Sequence, residues 1–305
     1  MAQDAIGFVG IGLMGQGMAA NLLAKGYRLT VIAHRNRAPV EALVAKGAQE
    51  AANLAEMAAN SDVIHICAPG SPQVEAIVTD LLPHLRSGTV IIDCSTSDPV
   101  STLALAARLE AAGHAMADAP LGGTPDHAAQ GSLSTMVGAR DETFARISPI
   151  LSAWAATISH LGPPGTGHKM KLINNFLSLG YAALYAEALA LSNKVGITTA
   201  QFDKVIRGGR MDCGFYQTFM GYAVEGNREA HRFTLTNALK DMRYLESMAD
   251  SASLSNPMGN AVKNSFALAH ANGGAGPEDY VPHLVDFIAR LNGMAPSIPP
   301  GKTPA

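Results

Sequence analysis

The chain has 305 residues, of which 22 are lysine or arginine and 25 are aspartate or glutamate, so its net charge is −3. The near-balanced charge argues against a duplex-binding surface and against a polybasic membrane anchor. A hydrophobic content of 48% excludes disorder over most of the length.

Short apolar runs alternate with helical stretches in the first half of the chain. The run at residues 5–12 precedes a predicted helix over 15–24, and the run at 28–33 precedes one over 39–46. Further apolar runs lie at residues 63–69, 89–95, 114–120 and 156–162. Each ends at a Pro, Gly, Ser or Asp, as buried parallel strands do. This alternation predicts an α/β Rossmann domain with a doubly wound, mostly parallel sheet.

The pattern changes at residues 161–169, where LGPPGTGHK is typical of a boundary. No strand is predicted after Lys169. One long helix is predicted over residues 170–195, and shorter helices over 200–208, 235–250, 257–271 and 278–291. At about 150 residues per domain, the length also favours two domains. We therefore predict a Rossmann domain over residues 1–163, an all-α domain over 164–297 and a loose tail over 298–305.

Three glycines form a G-x-G-x-x-G motif: Gly10, Gly12 and Gly15. The motif directly follows an apolar strand and opens an amphipathic helix, which is the context of a dinucleotide-binding turn. The glycines let the backbone approach a pyrophosphate at the helix N-terminus. The alternative is a tight strand–helix turn without a ligand.

The residues after the second predicted strand bear on the choice of cofactor. An NAD site usually has an acid about 20 residues after the glycines, but none occurs here between Asp4 and Glu41. The strand runs instead into Arg35, Asn36 and Arg37. A guanidinium can pair bidentately with a 2′-phosphate, so we predict NADP rather than NAD, with Arg35 the leading contact and Arg37 the second. A solvated basic turn is the alternative.

Four polar residues of the long helix share one face, because they stand at i, i+3, i+4 and i+7: Lys171, Asn174, Asn175 and Ser178. The other faces are apolar, which predicts a buried helix whose polar stripe meets a substrate and the nicotinamide, or else the backbone of the other domain. The ammonium of Lys171 can give a proton to a carbonyl that receives a hydride. Lys240 is a candidate second cation that would help Lys171 to act as a base in the reverse direction.

Charged residues make up only 15% of the chain, compared with about 25% in an average soluble domain. A long apolar helix must be buried between domains and between subunits, and homodimer interfaces are poor in charge. The composition therefore predicts an obligate homodimer or homotetramer.

Three features of the sequence bear on the cellular compartment of the protein: its cysteines, its N-terminus and its apolar runs. The three cysteines are far apart and form no CxxC pair, which predicts buried, reduced thiols in a cytoplasmic protein without a metal site. Asp4 stands where a secretory signal would be basic. The longest apolar run, residues 176–191, is shorter than the span of about 20 residues that a membrane helix needs. We expect neither a membrane nor a nucleic-acid partner.

Four motifs together resemble the β-hydroxyacid dehydrogenase family over nearly the whole chain. They are GIGLMG at residues 10–15, DAPLGGTPDHAAQGSL at 118–133, GTGHKMKLINN at 165–175 and FTLTNALKDM at 233–242. The resemblance implies a Rossmann domain, a long interdomain helix and an all-α domain that forms the dimer. It also implies NADP-dependent hydride transfer to or from a small, anionic β-hydroxy acid or its semialdehyde, as in 3-hydroxyisobutyrate dehydrogenase.

The resemblance also assigns roles to individual residues. Lys171 would be the catalytic acid/base, and Asn175 would orient the substrate. Asn174 and Ser178 are predicted to bind the substrate because they share the helix face of Asn175. By resemblance, Pro69, Thr96 and Lys240 would lie along the cofactor, with the backbone N–H groups of Leu13 and Met14 on the pyrophosphate. With the glycine turn and the basic turn, the predicted cofactor-binding residues are Gly10, Gly12, Leu13, Met14, Gly15, Arg35, Asn36, Arg37, Pro69, Thr96 and Lys240.

The substrate stretch departs from the family pattern. A serine and two glycines usually receive the substrate carboxylate, and here those positions are Gly122, Gly123 and Thr124. The stretch more closely resembles the branch that contains sulfolactaldehyde reductase, which has an arginine where this chain has Gly123. Imine reductases share the architecture but generally replace the catalytic lysine. A sulfolactaldehyde-type reductase, an imine reductase and a non-catalytic NADP-binding protein are the alternatives.

A Gly-rich segment, residues 207–219, falls where the family's second domain lines the substrate cleft. It contains Arg207, Arg210, Asp212 and Phe215. An arginine of this segment could supply the missing anion contact. The segment could equally be an interhelical loop.

Overall fold

A computed structural model of the chain describes residues 3–296. The chain divides into two compact units, Met1–Lys171 and Leu172–Ala305. The division falls inside the long helix, a few residues after the Pro-Pro boundary that the sequence predicts. The predicted tail, residues 298–305, lies outside the described residues.

The first unit is built on a nine-stranded sheet, counted over the described residues. Its strands are β1 (Ile6–Val9), β2 (Leu29–Val31), β3 (Gln49–Glu50), β4 (Val63–Ile66), β5 (Val90–Asp93), β6 (Ala115–Asp118), β7 (Leu121–Gly122), β8 (Leu133–Gly138) and β9 (Ala155–Gly162). The order is β3-β2-β1-β4-β5-β6-β8-β7, with β9 beside β8. The first six strands pair in parallel, whereas β8 is antiparallel to β6 and β7. The predicted doubly wound Rossmann fold is confirmed.

Helices cover both faces of this sheet. They are α1 (Gly15–Ala24), α2 (Ala38–Val44), α3 (Leu54–Asn60), α4 (Ser71–Leu81), α5 (Pro99–Ala111), α6 (Pro125–Ala129) and α7 (Asp141–Leu151). Helices α1, α2, α6 and α7 pack in one apolar core, and α3, α4 and α5 in another. Alternate strand residues supply the two cores, as Ile92 and Ile91 of β5 do.

The named secondary-structure elements in the described residues of the second unit are all helical. Its helices are the greater part of α8 (Thr166–Lys194), α9 (Thr199–Ile206), α10 (Gly214–Ala223), α11 (Leu235–Ser251), α12 (Pro257–Ala271) and α13 (Leu284–Leu291), and Val281–His283 form a 3-10 turn. One apolar core joins them around Tyr216, Phe219 and Phe266. Although α8 has 29 residues, neither it nor any other helix within residues 3–296 is long and apolar enough to cross a membrane.

Several sequence-based boundaries were wrong. Helix α8 begins at Thr166, four residues earlier than predicted, because a distant carboxylate caps its first turn. Helix α10 was not predicted, and the helix expected over 278–291 is a 3-10 turn followed by α13. Strand β8 was missed because Ser134 and Thr135 interrupt its apolar residues.

The apolar faces of α8 are not all buried in the single chain. Five large apolar side chains of this helix are between 44% and 66% exposed: Ile173, Leu177, Tyr181, Leu184 and Leu191. They recur every three, four or seven residues, so they form one stripe along the helix.

Candidate functional site

The turn between β1 and α1 is closed by two glycines. Gly10 has a φ of +98°, and a Cβ there would lie 2.1 Å from the carbonyl oxygen of Cys67. A Cβ on Gly15 would lie 2.0 Å from the carbonyl oxygen of Gly10. Only glycine fits at either position, because both neighbours are backbone atoms.

The remaining glycine of the motif, Gly12, has open space beside its Cα. A Cβ on Gly12 would meet no described atom within 4 Å. Within the described residues, no side chain caps the N-terminus of α1 and no acidic residue stands in its first turn, while Leu13 is 65% exposed. The backbone N–H groups of Leu13 and Met14 therefore lie at a positive helix end with room for an anion beside Gly12. These features fit the pyrophosphate of a dinucleotide.

Two further predicted cofactor residues lie at the same edge of the sheet. Pro69 follows β4 and Thr96 follows β5, and both strands run parallel to β1. The hydroxyl of Ser95 accepts a hydrogen bond of 2.9 Å from the N–H of Ala68, which joins the two loops. Pro69 is exposed and Thr96 is half-buried. The carboxyl ends of β1, β4 and β5 thus bring together the glycine turn, Pro69 and Thr96, where α/β sheets bind their ligands.

The two arginines of the basic turn after β2, Arg35 and Arg37, differ in their contacts. The guanidinium of Arg37 donates to both carboxylate oxygens of Glu50, at 3.0 and 3.1 Å, and also contacts Glu41 at 3.4 Å. The side-chain oxygen of Asn36 accepts from the N–H of Ala38 at 3.2 Å. Arg35 is exposed and has no hydrogen-bond or ion-pair partner within residues 3–296. Arg35 is therefore the guanidinium of this turn that is available to a ligand.

A buried carboxylate fixes the start of α8. Asp118, at the end of β6, accepts from the N–H of Gly165 at 2.5 Å and from the N–H of His168 at 2.7 Å. Burial raises the pKa of Asp118, while His168 and the two N–H groups oppose that shift. Lys171 follows His168 by three residues on the same helix and is half-buried. Neither Asp118 nor His168 was singled out from the sequence, because only the fold brings them together.

A second buried carboxylate holds two predicted site residues. Asp241, on α11, is 2% exposed and accepts a hydrogen bond of 2.7 Å from the side-chain amide of Asn175. The ammonium of Lys240 lies 3.1 Å from the other carboxylate oxygen of Asp241. That oxygen accepts no hydrogen bond within the described residues, so its contact with Lys240 is an ion pair. The ammonium also lies 5.2 Å from the centre of the Tyr244 ring. Asp241 thus brings Asn175 and Lys240 together and orients the Asn175 amide.

The remaining polar residues of α8 have weaker contacts. Asn174 is exposed, and its amide nitrogen lies 3.5 Å from the side-chain oxygen of Asn175. The hydroxyl of Ser178 donates to the carbonyl oxygen of Asn175 at 3.1 Å. Asn175 is therefore the member of the stripe that is both buried and fixed by another helix.

The predicted substrate stretch has little room for side chains. A Cβ on Gly122 would lie 2.4 Å from the hydroxyl oxygen of Ser134, and Gly123 has a φ of +123°. Thr124 caps α6, where its side-chain oxygen lies 2.8 Å from Nδ1 of His127. The Thr124 hydroxyl therefore has a structural partner.

The segment over residues 207–219 is partly helical, since α10 begins at Gly214. Arg207 pairs with Asp203 at 2.8 Å and contacts Glu225 at 3.7 Å. Asp212 accepts from the N–H of Gly208 and from Gln217, while Phe215 stacks against an aromatic ring of α8. Arg210 is exposed and has no hydrogen-bond or ion-pair partner in the described part of the chain.

The cysteines differ from one another. Cys94 is buried, Cys67 is half-buried and Cys213 is exposed, so the prediction of buried thiols was wrong for Cys213. Burial raises the pKa of Cys67 to about 12, which keeps it a thiol. Residues 3–296 contain no cluster of three or more His, Cys, Asp or Glu side chains that could hold a metal ion.

Two family models match the chain in succession. The NAD-binding domain of 6-phosphogluconate dehydrogenase matches residues 5–162, and the NAD-binding domain of NADP-dependent 3-hydroxyisobutyrate dehydrogenase matches residues 165–282. These models support a nicotinamide cofactor.

Similar proteins span nearly the whole chain. The 3-sulfolactaldehyde reductase of Escherichia coli (strain K12) is 33% identical over 279 residues, which cover 90% of this chain and 93% of the relative. The 3-hydroxyisobutyrate dehydrogenase of Pseudomonas aeruginosa is 34% identical over 279 residues, which cover 88% and 93%. A solved structure of Mycobacterium tuberculosis 3-hydroxyisobutyrate dehydrogenase with L-serine has a TM-score of 0.84 at 25% identity, covering 93% of this chain and 98% of that chain. The chain belongs to the β-hydroxyacid dehydrogenase family and is an NAD(P)-dependent enzyme of the 3-hydroxyacid dehydrogenase type.

Proposed function

We propose that the enzyme uses NADP and transfers a hydride between the nicotinamide and a small β-hydroxy acid or its semialdehyde, as a 3-hydroxyisobutyrate dehydrogenase does. The observation that carries the choice of NADP is the turn after β2. Arg35 is exposed and unpaired within the described residues, no acid stands where an NAD site places one, and Arg37 is already paired with Glu50. A guanidinium is the group that best pairs with a 2′-phosphate.

The residues of α8 supply the chemistry on the substrate. The bound nicotinamide supplies or accepts the hydride. Lys171 gives a proton to the carbonyl oxygen as the alkoxide forms and removes it in the reverse direction. Asn175 orients the substrate with an amide that Asp241 holds. Asn174 and Ser178 extend the polar stripe along the substrate.

The substrate is proposed to carry a carboxylate. The backbone N–H groups of Gly122 and Gly123 can receive an oxyanion, whereas the predicted contribution of the Thr124 N–H is lost because that group donates to Nδ1 of His127 at 3.2 Å. The relative from Escherichia coli is named for a sulfonated aldehyde, but this chain has Gly123 where that branch has an arginine. Arg210 is an unpaired cation in the described part of the second unit and is the candidate replacement. Imine reduction is disfavoured because Lys171 is present.

The cofactor preference is tested by the Michaelis constants for NADPH and NADH. We expect Arg35→Ala to weaken NADPH binding far more than NADH binding, because only NADPH carries the 2′-phosphate. Arg37→Ala is the matched control, since it removes a guanidinium of the same turn that is already paired. A clear preference of the unaltered enzyme for NADH would refute the NADP assignment. An equal effect of the Arg35 and Arg37 variants on NADPH binding would show that Arg35 is not the main contact of the 2′-phosphate.

The substrate class is tested by a panel of small carboxylate semialdehydes, sulfolactaldehyde and cyclic imines, each supplied with NADPH. Turnover of a carboxylate semialdehyde that disappears in Lys171→Ala supports the proposal. Turnover of an imine that survives loss of Lys171 would support imine reduction. Tight NADPH binding without oxidation by any compound would favour a non-catalytic NADP-binding protein.

We also propose that the enzyme is a homo-oligomer in which a second copy covers the exposed stripe of α8. The stripe (Ile173, Leu177, Tyr181, Leu184 and Leu191) would otherwise leave five large apolar side chains in water, and the chain has few charged residues. Sizing at dilute concentration should show no stable monomer of 31.7 kDa. A stable monomer would refute the oligomer.

A further inference from the structure

His168 lies on the first turn of α8, and both of its ring nitrogens have a partner. The side chain is fully buried. Nε2 lies 3.0 Å from the carbonyl oxygen of Ser95, and Nδ1 lies 2.8 Å from the hydroxyl oxygen of Thr102. A carbonyl oxygen can only accept, so Nε2 carries a hydrogen and donates it to Ser95. Ser95 is the residue directly before Thr96.

The backbone of His168 is fixed as well. Its N–H donates to Asp118 at 2.7 Å, beside the N–H of Gly165 that donates to the other oxygen of the same carboxylate. The three hydrogen bonds of His168 therefore reach three separate segments: the loop after β5, helix α5 and the end of β6. No rotation or shift of this helical turn can keep all three bonds.

The loop after β5 is fixed from its other side by Asp93, at the end of that strand. Asp93 is fully buried and accepts from the N–H of Ser95 at 2.9 Å and from the hydroxyl of Ser97 at 2.7 Å. Oxygens of Asp93 and Asp118 lie 3.8 and 3.9 Å from the ring nitrogens of His168. The imidazole thus lies between two buried carboxylates, and both His168 and Asp93 bind the loop that carries Thr96.

We propose that His168 is a positioning residue for hydride transfer, because it fixes the loop of Thr96 and the turn of Lys171 relative to each other. The proposal rests on the proposed function, in which Thr96 lies beside the nicotinamide and Lys171 moves the proton. Lys171 stands three residues after His168, about one helical turn further along α8. A misplacement of about 1 Å at a reacting group can cost about 10²-fold in rate. His168 itself touches neither the substrate nor the cofactor in this role.

A second buried histidine provides the matched control. His65, on β4, is fully buried like His168 and lies in the same unit, but neither of its ring nitrogens has a hydrogen-bond partner within residues 3–296. It stacks on Phe8 at 5.4 Å. Replacing His65 with Phe changes a buried imidazole without breaking a connection to the loop of Thr96 or to α8.

The first experiment measures hydride transfer in a single turnover, with NADPH and the best semialdehyde of the panel. We expect His168→Ala to lower the rate constant by about 10²-fold and to raise the isotope effect with NADPH deuterated at C4, while the Kd for NADPH changes much less. His168→Gln, which can still donate to Ser95, should recover part of the rate, and His65→Phe should leave it unchanged. A merely structural role would lower the rate, NADPH binding and thermal stability in parallel and leave the isotope effect unchanged, which would overturn the proposal.

The second experiment uses the protein without cofactor and does not depend on activity. Amide hydrogen exchange at residues 95–97 and 166–171 should be faster in His168→Ala than in the unaltered protein or in His65→Phe. Thr102→Val, which removes only the partner of Nδ1, should give a smaller change in the same direction if His168→Ala does not fold. Unchanged exchange and an unchanged hydride-transfer rate would overturn the positioning role alone. Absence of any NADPH turnover in the unaltered protein would instead refute the proposed function.

Discussion

Two buried carboxylates, Asp118 in the first unit and Asp241 in the second, each support part of the predicted functional site. Asp118 binds backbone N–H groups and sets where α8 begins. Asp241 binds side chains and orients the amide of Asn175 while pairing with Lys240. Asp118 therefore fixes the backbone at the start of α8, and Asp241 orients side chains of the predicted site.

The two carboxylates contribute differently to stability and to the geometry of the site. Loss of Asp118 leaves buried backbone N–H groups without an acceptor, which costs stability directly. Loss of the charge of Asp241 is expected to leave the helices in place but to weaken the contacts of Asn175 and Lys240. Substitutions of the two carboxylates can therefore distinguish a role in folding from a role in positioning side chains. In the proposed function, Lys171, on the helix that Asp118 caps, is the residue that carries the chemistry.

The largest expected effect is that of Lys171→Ala. Removal of a general acid/base costs about 10²–10⁴-fold in turnover, and binding of NADPH should stay largely intact because the dinucleotide turn lies elsewhere in the chain. Steady-state kinetics and NADPH titration measure the two quantities. Lys194→Ala, which removes a lysine from the last turn of the same helix, should leave both unchanged. An equal loss of turnover and NADPH binding would mean that Lys171 is structural.

The second prediction concerns stability. Asp118→Asn should lower the free energy of unfolding by about 1–3 kcal/mol, because an amide group can accept at only one of its two polar atoms and so leaves one buried N–H group unpaired. Urea unfolding at neutral pH measures the change. Asp80→Asn, at an exposed position of α4, is the control and should have almost no effect. Full stability of Asp118→Asn would show that the cap does not hold α8.

The sequence predicted the local parts of this arrangement well. The glycine turn and α1 were predicted correctly because strand, glycine spacing and helix follow one another within a few residues. The polar stripe of α8 was visible because helical spacing alone places it. Lys240 was found from its motif, but its pairing with Asn175 through Asp241 joins residues 66 positions apart, which no periodicity reveals.

The parts that could not be predicted depend on distant partners. Helix α8 begins early because Asp118 lies 47 positions before Gly165 and caps its first turn. Helix α10 begins with a glycine after Cys213, whose sulfur accepts from the N–H of Tyr216, and this cap is not among the usual N-cap residues. His168 lay in the predicted boundary segment over residues 161–169 and was not singled out, because its partners lie on three other segments of the sheet domain.

Unlike Asp118 and Asp241, His65 is a buried titratable group whose ring nitrogens have no hydrogen-bond partner in the described residues. Burial lowers its pKa from the usual 6.5 to about 3, so the unfolded state binds more protons between those pH values. The free energy of unfolding should therefore be highest above pH 6.5 and fall as the pH drops toward 3. The contribution of His65 to this fall is up to about 1.4 kcal/mol per pH unit. Urea unfolding between pH 5 and 7 should show a shallower dependence in His65→Phe, and identical slopes would show that His65 is not desolvated.

The smallest expected effect is that of Asp241→Asn, which keeps the shape and an acceptor but removes the charge. Hydrogen bonds to charged groups are stronger than neutral ones by about 1 kcal/mol, which corresponds to about fivefold in kcat/KM if the Asn175 amide acts on the substrate. The free energy of unfolding should change less than in Asp118→Asn, because no backbone group loses its partner. Asp250→Asn, at an exposed position of the same helix, is the control. If Asp241→Asn instead destabilises the protein as much as Asp118→Asn while kcat/KM is unchanged, the two carboxylates have the same structural role and the distinction between them fails.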